Sequence, residues 1–357
     1  GMPFNPTTEM DLDLWGMAQS IHRDELSLQA MTESSPGELS QRYLAAELPS
    51  VFTQEIRRFL DRYGGRGFGE IDLGRNRWAE NPQHVFEMLS SFMQIKYFEN
   101  SPDAVFGRSV AIATESKEQL ISAARALPGG FIKARVVRFF SDRMRKLMGM
   151  RESPKFFVVR MMWAIHRELL KTGREFVELG ELEHADDLFY LTFPELSAFA
   201  AKSERNWREL IFERRTLYQK EMQRRQLPHL FLSDGRAFYE GMSSPIGVGA
   251  SSLMGSPVSP GVVEALVRVV RDPGAAGLIP GEIMVCPGTD PSWTPLFMAA
   301  SGLVMEVGGM MTHGAVVARE YGIPAVVGVT NATARLVTGQ KIRLNGSNGE
   351  ITLLDDK

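Results

Sequence analysis

A single cysteine, Cys286, stands among 357 residues. One thiol excludes an intramolecular disulfide and any thiolate metal cluster within the chain; in "MVCPG" it reads as a small buried strand residue. Histidine is scarce too, six in all: His22, His84, His166, His184, His229 and His313. None sits in an HxxH or HExxH spacing, so no metal site is expected. No excess of one charge exists; the formal net charge of −3 advertises neither nucleic acid nor an anionic membrane. No apolar run reaches the ~18 residues of a spanning helix. The opening "GMPFNPTTEMDLDLW" lacks the basic-then-apolar layout of a signal peptide, which makes the cytoplasm the expected compartment. A GxSxG elbow is missing, as are a P-loop and a glycine-rich strand–helix unit for ATP.

What is present falls into two textures, and the length suits two domains of roughly 150 residues or more each. Up to about residue 225 the apolar positions recur at helical spacing. In "NPQHVFEMLSSFMQIKYF" Val85, Phe86, Leu89, Phe92 and Met93 share a face. "SPKFFVVRMMWAIHRELLKTGREFVELGEL" predicts a long helix with Ser153 as N-cap and Pro154 at its first position. A further helix runs through "KSERNWRELIFERRTLYQKEMQRRQ". "FLSDGRAFY", with Asp234-Gly235 between short apolar runs, predicts a hairpin. The Met- and Phe-rich helices read as core, with a greasy pocket for a large apolar molecule as the other reading.

Residues 240 to 261, "EGMSSPIGVGASSLMGSPVSPG", are rich in Gly, Ser and Pro and suit a connector. Beyond it, "VVEALVRVV", "GEIMVCPG", "GLVMEV", "IPAVVGV", "QKIRLNG" and "GEITLL" are short Val- and Ile-rich runs between Gly, Pro and Asn, which are strand signals. "DPSWTPLFMAAS" and "HGAVVAREYG" look helical between them. The expected organisation is a mostly helical domain over 1–245, a linker at about 240–256, and a compact α/β domain over 246–357.

The segment "VMEVGGMMTHGAVVAREYGIPAVVG" places His313 at the junction of a strand and a helix. Gly308 and Gly309 make the turn, Thr312 stands at the N-cap, and Gly322 with Pro324 ends the helix. A helix N-terminus disfavours an imidazolium by about 0.3–1 kcal/mol and offers N–H groups to an anion. A neutral imidazole beside an anion cradle is what phosphoryl capture requires, with Gly314 leaving room for the incoming group. Position alone equally allows a histidine packed at a helix start and making one structural hydrogen bond.

"GGMMTHGAVVAREYGIPAVVGV" resembles the phosphohistidine motif of the phosphoenolpyruvate-utilising enzymes, a family that includes phosphoenolpyruvate synthase, pyruvate phosphate dikinase and rifampicin phosphotransferase. "GSPVSPGVVEALVRVV" and "PGEIMVCPGTDPSWTPLFMAASGLVMEVGG" look like the rest of its swivelling domain, so the resemblance spans about 256 to 354. In the helical half "RYGGRGFGEIDLGRNRWAENP" resembles the family's "YGHRG-EIDL-PRW", with Gly65 where the familiar version has histidine and Asn76 where it has proline. "RESPKFFVVR" is similar to the family's Arg-Glu-Tyr-Pro-Lys helix start, with Ser153 for tyrosine, and "ADDLFYLTFPEL" also looks like a family segment.

The resemblance implies a swivelling β/β/α phosphohistidine domain after a helical substrate domain. It implies His313 as phosphoryl acceptor with Thr312 beside it, and Gly308, Gly309 and Gly314 as the phosphate cradle. Arg151 and Lys155 flank a helix start, where two cations can stabilise phosphate charge; Glu152 and solvent can equally neutralise them. Arg66, Glu70 and Asp72 are further candidates. In an extended stretch Glu70 and Asp72 would share a face and suit a base for a substrate hydroxyl, though ordinary surface charge fits as well. Family members add an ATP-grasp nucleotide-binding domain. No cofactor or metal is therefore expected on this chain; ATP and Mg²⁺ belong to an ATP-grasp partner, in a longer enzyme or on a separate chain. The implied activity is phosphotransfer from ATP through His313 to a small-molecule hydroxyl or to pyruvate. The other reading is a non-catalytic ligand-binding or regulatory module with an idle histidine.

Overall fold

The computed structural model describes residues 3–93, 101–223, 230–238, 252–271, 277–289 and 293–354. The first half is helical. A bundle forms from α1 (Pro6–Arg23), α2 (Glu25–Glu33), α3 (Pro36–Leu44), α4 (Ser50–Tyr63) and α5 (Gln83–Met93). Its core interleaves Met10, Leu14, Met17 and Ile21 of α1 with Phe52, Ile56 and Phe59 of α4 and with Phe86, Leu89 and Phe92 of α5. These positions recur three and four residues apart, the stripe that the sequence period requires. The helix starts are built from local signals. Asn5 accepts from the Thr7 N–H, and Ser35 with Glu38 closes a capping box.

Next come the long helices α6 (Pro102–Arg125), α7 (Gly130–Gly149) and α8 (Ser153–Glu178), followed by α9 (Phe193–Ala200) and α10 (Trp207–Met222). Ser153 opens α8 as expected in place but not as its cap: a single 3₁₀ turn, Met150–Glu152, joins α7 to α8, so Glu152 holds the cap position without a side-chain bond. The hairpin forms from β1 (Leu230–Phe231) and β2 (Ala237–Phe238), paired antiparallel.

The second half is a mixed eight-stranded sheet, made of β3 (Ser252–Met254), β4 (Ser256–Ser259), β5 (Val262–Val269), β6 (Ile283–Cys286), β7 (Gly302–Met305), β8 (Ala325–Val327), β9 (Lys341–Asn345) and β10 (Glu350–Leu353). The spatial order is β3-β10-β9-β5-β6-β7-β8-β4. Strands β5 to β8 run parallel, and the outer pairs are antiparallel. The helices α11 (Thr294–Ala299), α12 (His313–Tyr321) and α13 (Ala332–Arg335) cover it. β6, β7 and β8 are buried throughout, which is why they read as unbroken apolar runs. Cys286 is fully buried in β6, and burial pushes its thiol well above the ordinary range.

The connector needs correcting. Residues 239–251 lie outside the described residues, but 252–259 form the two edge strands β3 and β4. Pro257 within β4 is tolerated because an edge strand leaves one side of its ladder unpaired. Among the described residues no helix is long and apolar enough to cross a membrane.

Candidate functional site

Strand β7 ends at Met305 and the chain turns through 306–312 into α12. Gly308 takes φ of +154° with Thr312 Oγ1 and Val327 Cβ just over 3 Å from where a side chain would start. Thr312 occupies the N-cap with extended backbone, but its hydroxyl does not cap the helix; it donates to the Gly309 carbonyl at 2.7 Å and so closes the turn. The free N–H groups of the first helical turn are thereby left to something else.

Gly314 does not serve the expected purpose. A Cβ there would lie 2.4 Å from Thr289 Oγ1 and 2.8 Å from Met305 Sδ. Its missing side chain lets α12 pack on the sheet; it does not open space for an incoming group. Gly314→Ala should therefore destabilise the sheet domain by about 1–3 kcal/mol through overpacking, read from urea denaturation, whereas Gly309→Ala meets nothing within 4 Å and should be near neutral.

The His313 residue is partly exposed, yet its Nε2 is buried and has no hydrogen-bond partner. It faces the helical domain across a cavity of about 10 Å³, whose walls include Thr7, Asp11, Glu152 and Glu320. Thr7 Oγ1 and Asp11 Oδ1, from the same cavity wall, are also buried and unpartnered. Burial, then the charges of Arg66, Lys155 and Arg151, lower the imidazole to about 3. The ring is therefore neutral at any ordinary pH, and the cause is desolvation and facing cations more than its own helix end.

Those three cations come from two places in the helical domain, Arg66 after α4 and Arg151 with Lys155 at the start of α8. Arg66 follows α4 and is 3% exposed; its guanidinium lies 5.5 Å from the Phe156 ring centre and 3.9 Å from Met10 Sδ, with Nε unpartnered. Lys155, in the first turn of α8, pairs with Glu70 at 3.0 Å. Arg151 pairs with its neighbour Glu152, the neutralising arrangement that the sequence left open.

Glu70 and Asp72 part company. Residues 64–78 are a run of turns rather than an extended stretch, so alternation does not apply. Glu70 points inward to Lys155, while Asp72 faces the other side and accepts from the Tyr218 hydroxyl at 2.7 Å. Asp72 is not part of the histidine site. The loop is pinned by Arg77, which is fully buried and donates to the carbonyls of Glu70 and Asp72, each at 2.8 Å. At Gly65, where the family resemblance has histidine, a Cβ would sit 2.8 Å from the Trp163 ring; that volume is occupied.

Several residues at the site gave no sequence signal that was used. Asp11, 2% exposed, sits on the buried stripe of α1, at helical spacing from Thr7, Leu14 and Ala18, and an acid on an apolar stripe is the signal that was there. Arg319 donates to the carbonyls of Val258 and Met310, tying the turn before His313 to β4. Beside the site, α6 and α7 with the turn before α12 enclose a cleft of about 840 Å³ lined by Ile112, Leu120, Met144, Met148, Met310 and Met311, with Arg151 and Glu152 also in its wall.

Residues 1–152 match the family described as rifampicin phosphotransferase fourth domain, and 278–349 match the mobile domain of phosphoenolpyruvate-utilising enzymes. The chain is 36% identical over 355 residues to a rifampicin phosphotransferase of Streptomyces sviceus and 35% identical over 356 residues to one of Bacillus subtilis, in each case across 99% of this chain and 40% of the relative. A rifampicin phosphotransferase of Bacillus cereus is 37% identical over 300 residues, 84% of this chain and 34% of that protein. The chain thus spans about 40% of the length of the first two relatives.

Proposed function

The chain joins two domains of the phosphoenolpyruvate-utilising enzymes of rifampicin phosphotransferase type, and from that premise we propose that it carries a phosphoryl group on His313 and delivers it to an acceptor on the helical domain. The observation that carries this reading is the buried, neutral and unpartnered Nε2 of His313 facing Arg66, Lys155 and Arg151. A lone pair without a proton is a nucleophile, and fixed cations in a water-poor site stabilise the charge that develops on a transferring phosphoryl group.

In the loading step Nε2 attacks phosphorus, forming a P–N bond as a P–O bond of ATP breaks. An ATP-grasp domain, in the rest of the enzyme or on a separate chain, would supply ATP and Mg²⁺; with the β-phosphorus as the one attacked, AMP leaves and the γ-phosphate is passed to water as inorganic phosphate. In the delivery step the acceptor oxygen attacks phosphorus, the P–N electron pair returns to Nε2, and the hydroxyl proton passes to a nearby base. Glu70, held against Lys155, is the candidate base that supports this step. The cavity at Nε2, about 10 Å³, is the size of one water and too small for a phosphoryl group. The carrier domain must therefore lift from this position to be loaded and must sit less deeply while it is phosphorylated.

The cleft favours one acceptor class. Its 840 Å³, with aliphatic and methionine side chains forming most of the exposed wall and Lys117 and Arg319 among the charged residues at it, fits a large, mainly apolar molecule bearing a hydroxyl, as the relatives' name suggests, better than pyruvate, which is too small to fill it. Incubation of the chain with an ATP-grasp domain and radiolabelled ATP should place acid-labile, alkali-stable label on His313. Added rifampicin should then discharge it. Label persisting in His313→Ala would sink the assignment, and discharge by pyruvate but not by rifampicin would overturn the acceptor class.

A further inference from the structure

Where the carrier domain meets the helical domain, the polar contacts converge on the last turn of α12, two helical turns from His313. The Tyr321 hydroxyl donates to Asp11 Oδ2 at 2.8 Å. Glu320 receives the Thr8 hydroxyl on Oε2 at 2.7 Å and the Asn5 amide on Oε1 at 3.3 Å. Its backbone carbonyl accepts from Ser109 of α6 at 3.0 Å. These four partners opposite the last turn of α12 come from the N-terminal part of α1, its cap Asn5 included, and from α6. Because α12 is one continuous helix of nine residues, holding its C-terminal end also directs His313 at the other end.

We propose that Asp11, acting through its bond from Tyr321 and alongside Glu320, is a positioning residue that latches the carrier domain with His313 over the cationic site, and that the latch is sensitive to pH. The proposal rests on the swivelling carrier function above, but its physical basis is the buried carboxyl itself. Closed, Asp11 is 2% exposed and walled by Tyr321 and Glu320 of α12 and by Leu12, Val105 and Phe106. The charged groups that bear on it are Glu320, which opposes its ionisation, and Arg66, which weakly favours it; the Tyr321 hydroxyl also favours it, yet burial dominates and raises the carboxyl to about 8. Tyr321 is raised as well and stays neutral, and Glu320 is raised by burial. Open, the Asp11 carboxyl meets water and returns toward its ordinary value near 3.9.

The sign follows from linkage. For Asp11 the closed state binds the extra proton between about pH 4 and pH 8, so closure weakens as pH rises through that window. His313 acts oppositely. Closure holds its imidazole at about 3 against an ordinary value of about 6.5, so closure sheds a proton between about pH 3 and 6.5 and strengthens as pH rises there. The two effects cancel between about pH 4 and 6.5. Above about pH 6.5 the imidazole no longer titrates in either state; Asp11, with Glu320 acting in the same direction as far as its raised carboxyl reaches, then makes closure weaken, and Asp11 by itself lowers the closure constant about tenfold per pH unit until about pH 8, roughly thirtyfold in all.

The test needs no ATP, so it is separate from whether His313 is ever phosphorylated. A fluorophore pair on cysteines introduced at the exposed Lys133 and Asn348 reports closure by energy transfer, since Cys286 is buried and unreactive. The wild-type signal should fall between pH 6.5 and 8. Asp11→Asn should lose that fall and instead show closure rising to about pH 6.5 and then level. Tyr321→Phe, which removes a bond that favours the carboxylate, should move the fall to higher pH. A wild-type signal that is flat above pH 6.5, or an Asp11→Asn protein that titrates as wild type does, overturns the latch. If Asp11→Asn does not fold, an unmoved fall in Tyr321→Phe overturns it equally.

Discussion

Arg66→Met should leave loading of His313 intact and slow delivery about 10²–10³-fold. The three cations facing the histidine are not equivalent. Lys155 is paired with Glu70 and Arg151 with Glu152, so part of their charge is already answered. Arg66 is held by a methionine sulfur and an aromatic face instead of a carboxylate. A buried guanidinium without a carboxylate partner is costly, and an anion that arrives on His313 relieves the cost. The donor is also fixed in place before the anion comes, which is the condition under which removing one group costs two to three orders of magnitude in rate. Acceptor-dependent loss of label from pre-loaded protein measures the delivery rate. The same loss from Lys155→Met should slow less, because that change also releases Glu70 from its partner. Equal delivery rates for wild type and Arg66→Met would remove Arg66 from the site.

Arg77→Ala should be the most destabilising single change in the helical half, by about 3–5 kcal/mol. Arg77 is fully buried, and its two 2.8 Å bonds are the anchors of the 64–78 turns. The substitution leaves the Glu70 and Asp72 carbonyls short of a donor, at about 1–3 kcal/mol for each that stays dry, and opens a cavity of arginine size. For a domain of this size that loss lowers the melting temperature by roughly 6–20 °C, visible in the helical circular dichroism signal. Arg77→Lys, with one ammonium in place of a planar fork, cannot serve both carbonyls in the same way and should recover only part of the loss. A melt within 2 °C of wild type for Arg77→Ala would show that the loop stands without its anchor.

Local chemistry was legible wherever it was written in neighbouring residues. The six Val- and Ile-rich runs between glycines became β5 to β10: β6, β7 and β8 are buried on both faces and need apolar side chains throughout, while β9 buries alternate residues, the period-2 pattern of a half-buried strand. His313 at the start of α12 and Gly322 at its left-handed end followed from the same short-range rules. The reading failed where a residue's setting is not local. Ser252–Ser259 looked like linker because Ser and Pro dominate it, yet edge strands tolerate both. Glu70 and Asp72 were placed on one face by an alternation that a run of turns does not have.

By itself, then, the sequence determined the two-part architecture, six of the eight strands of the second domain's sheet, and a neutral histidine beside free backbone N–H groups. Those depend on spacing along one strand or helix. Which charges surround that histidine was decided only by the docking of α12 against α1 and the 64–78 loop, which brings Asp11, Arg66, Arg151, Lys155 and Tyr321 together from up to 310 residues apart. Burial and charge act through space, so a carboxyl on the second turn of α1 and a tyrosine at the end of a distant helix acquire their meaning only once the two domains touch.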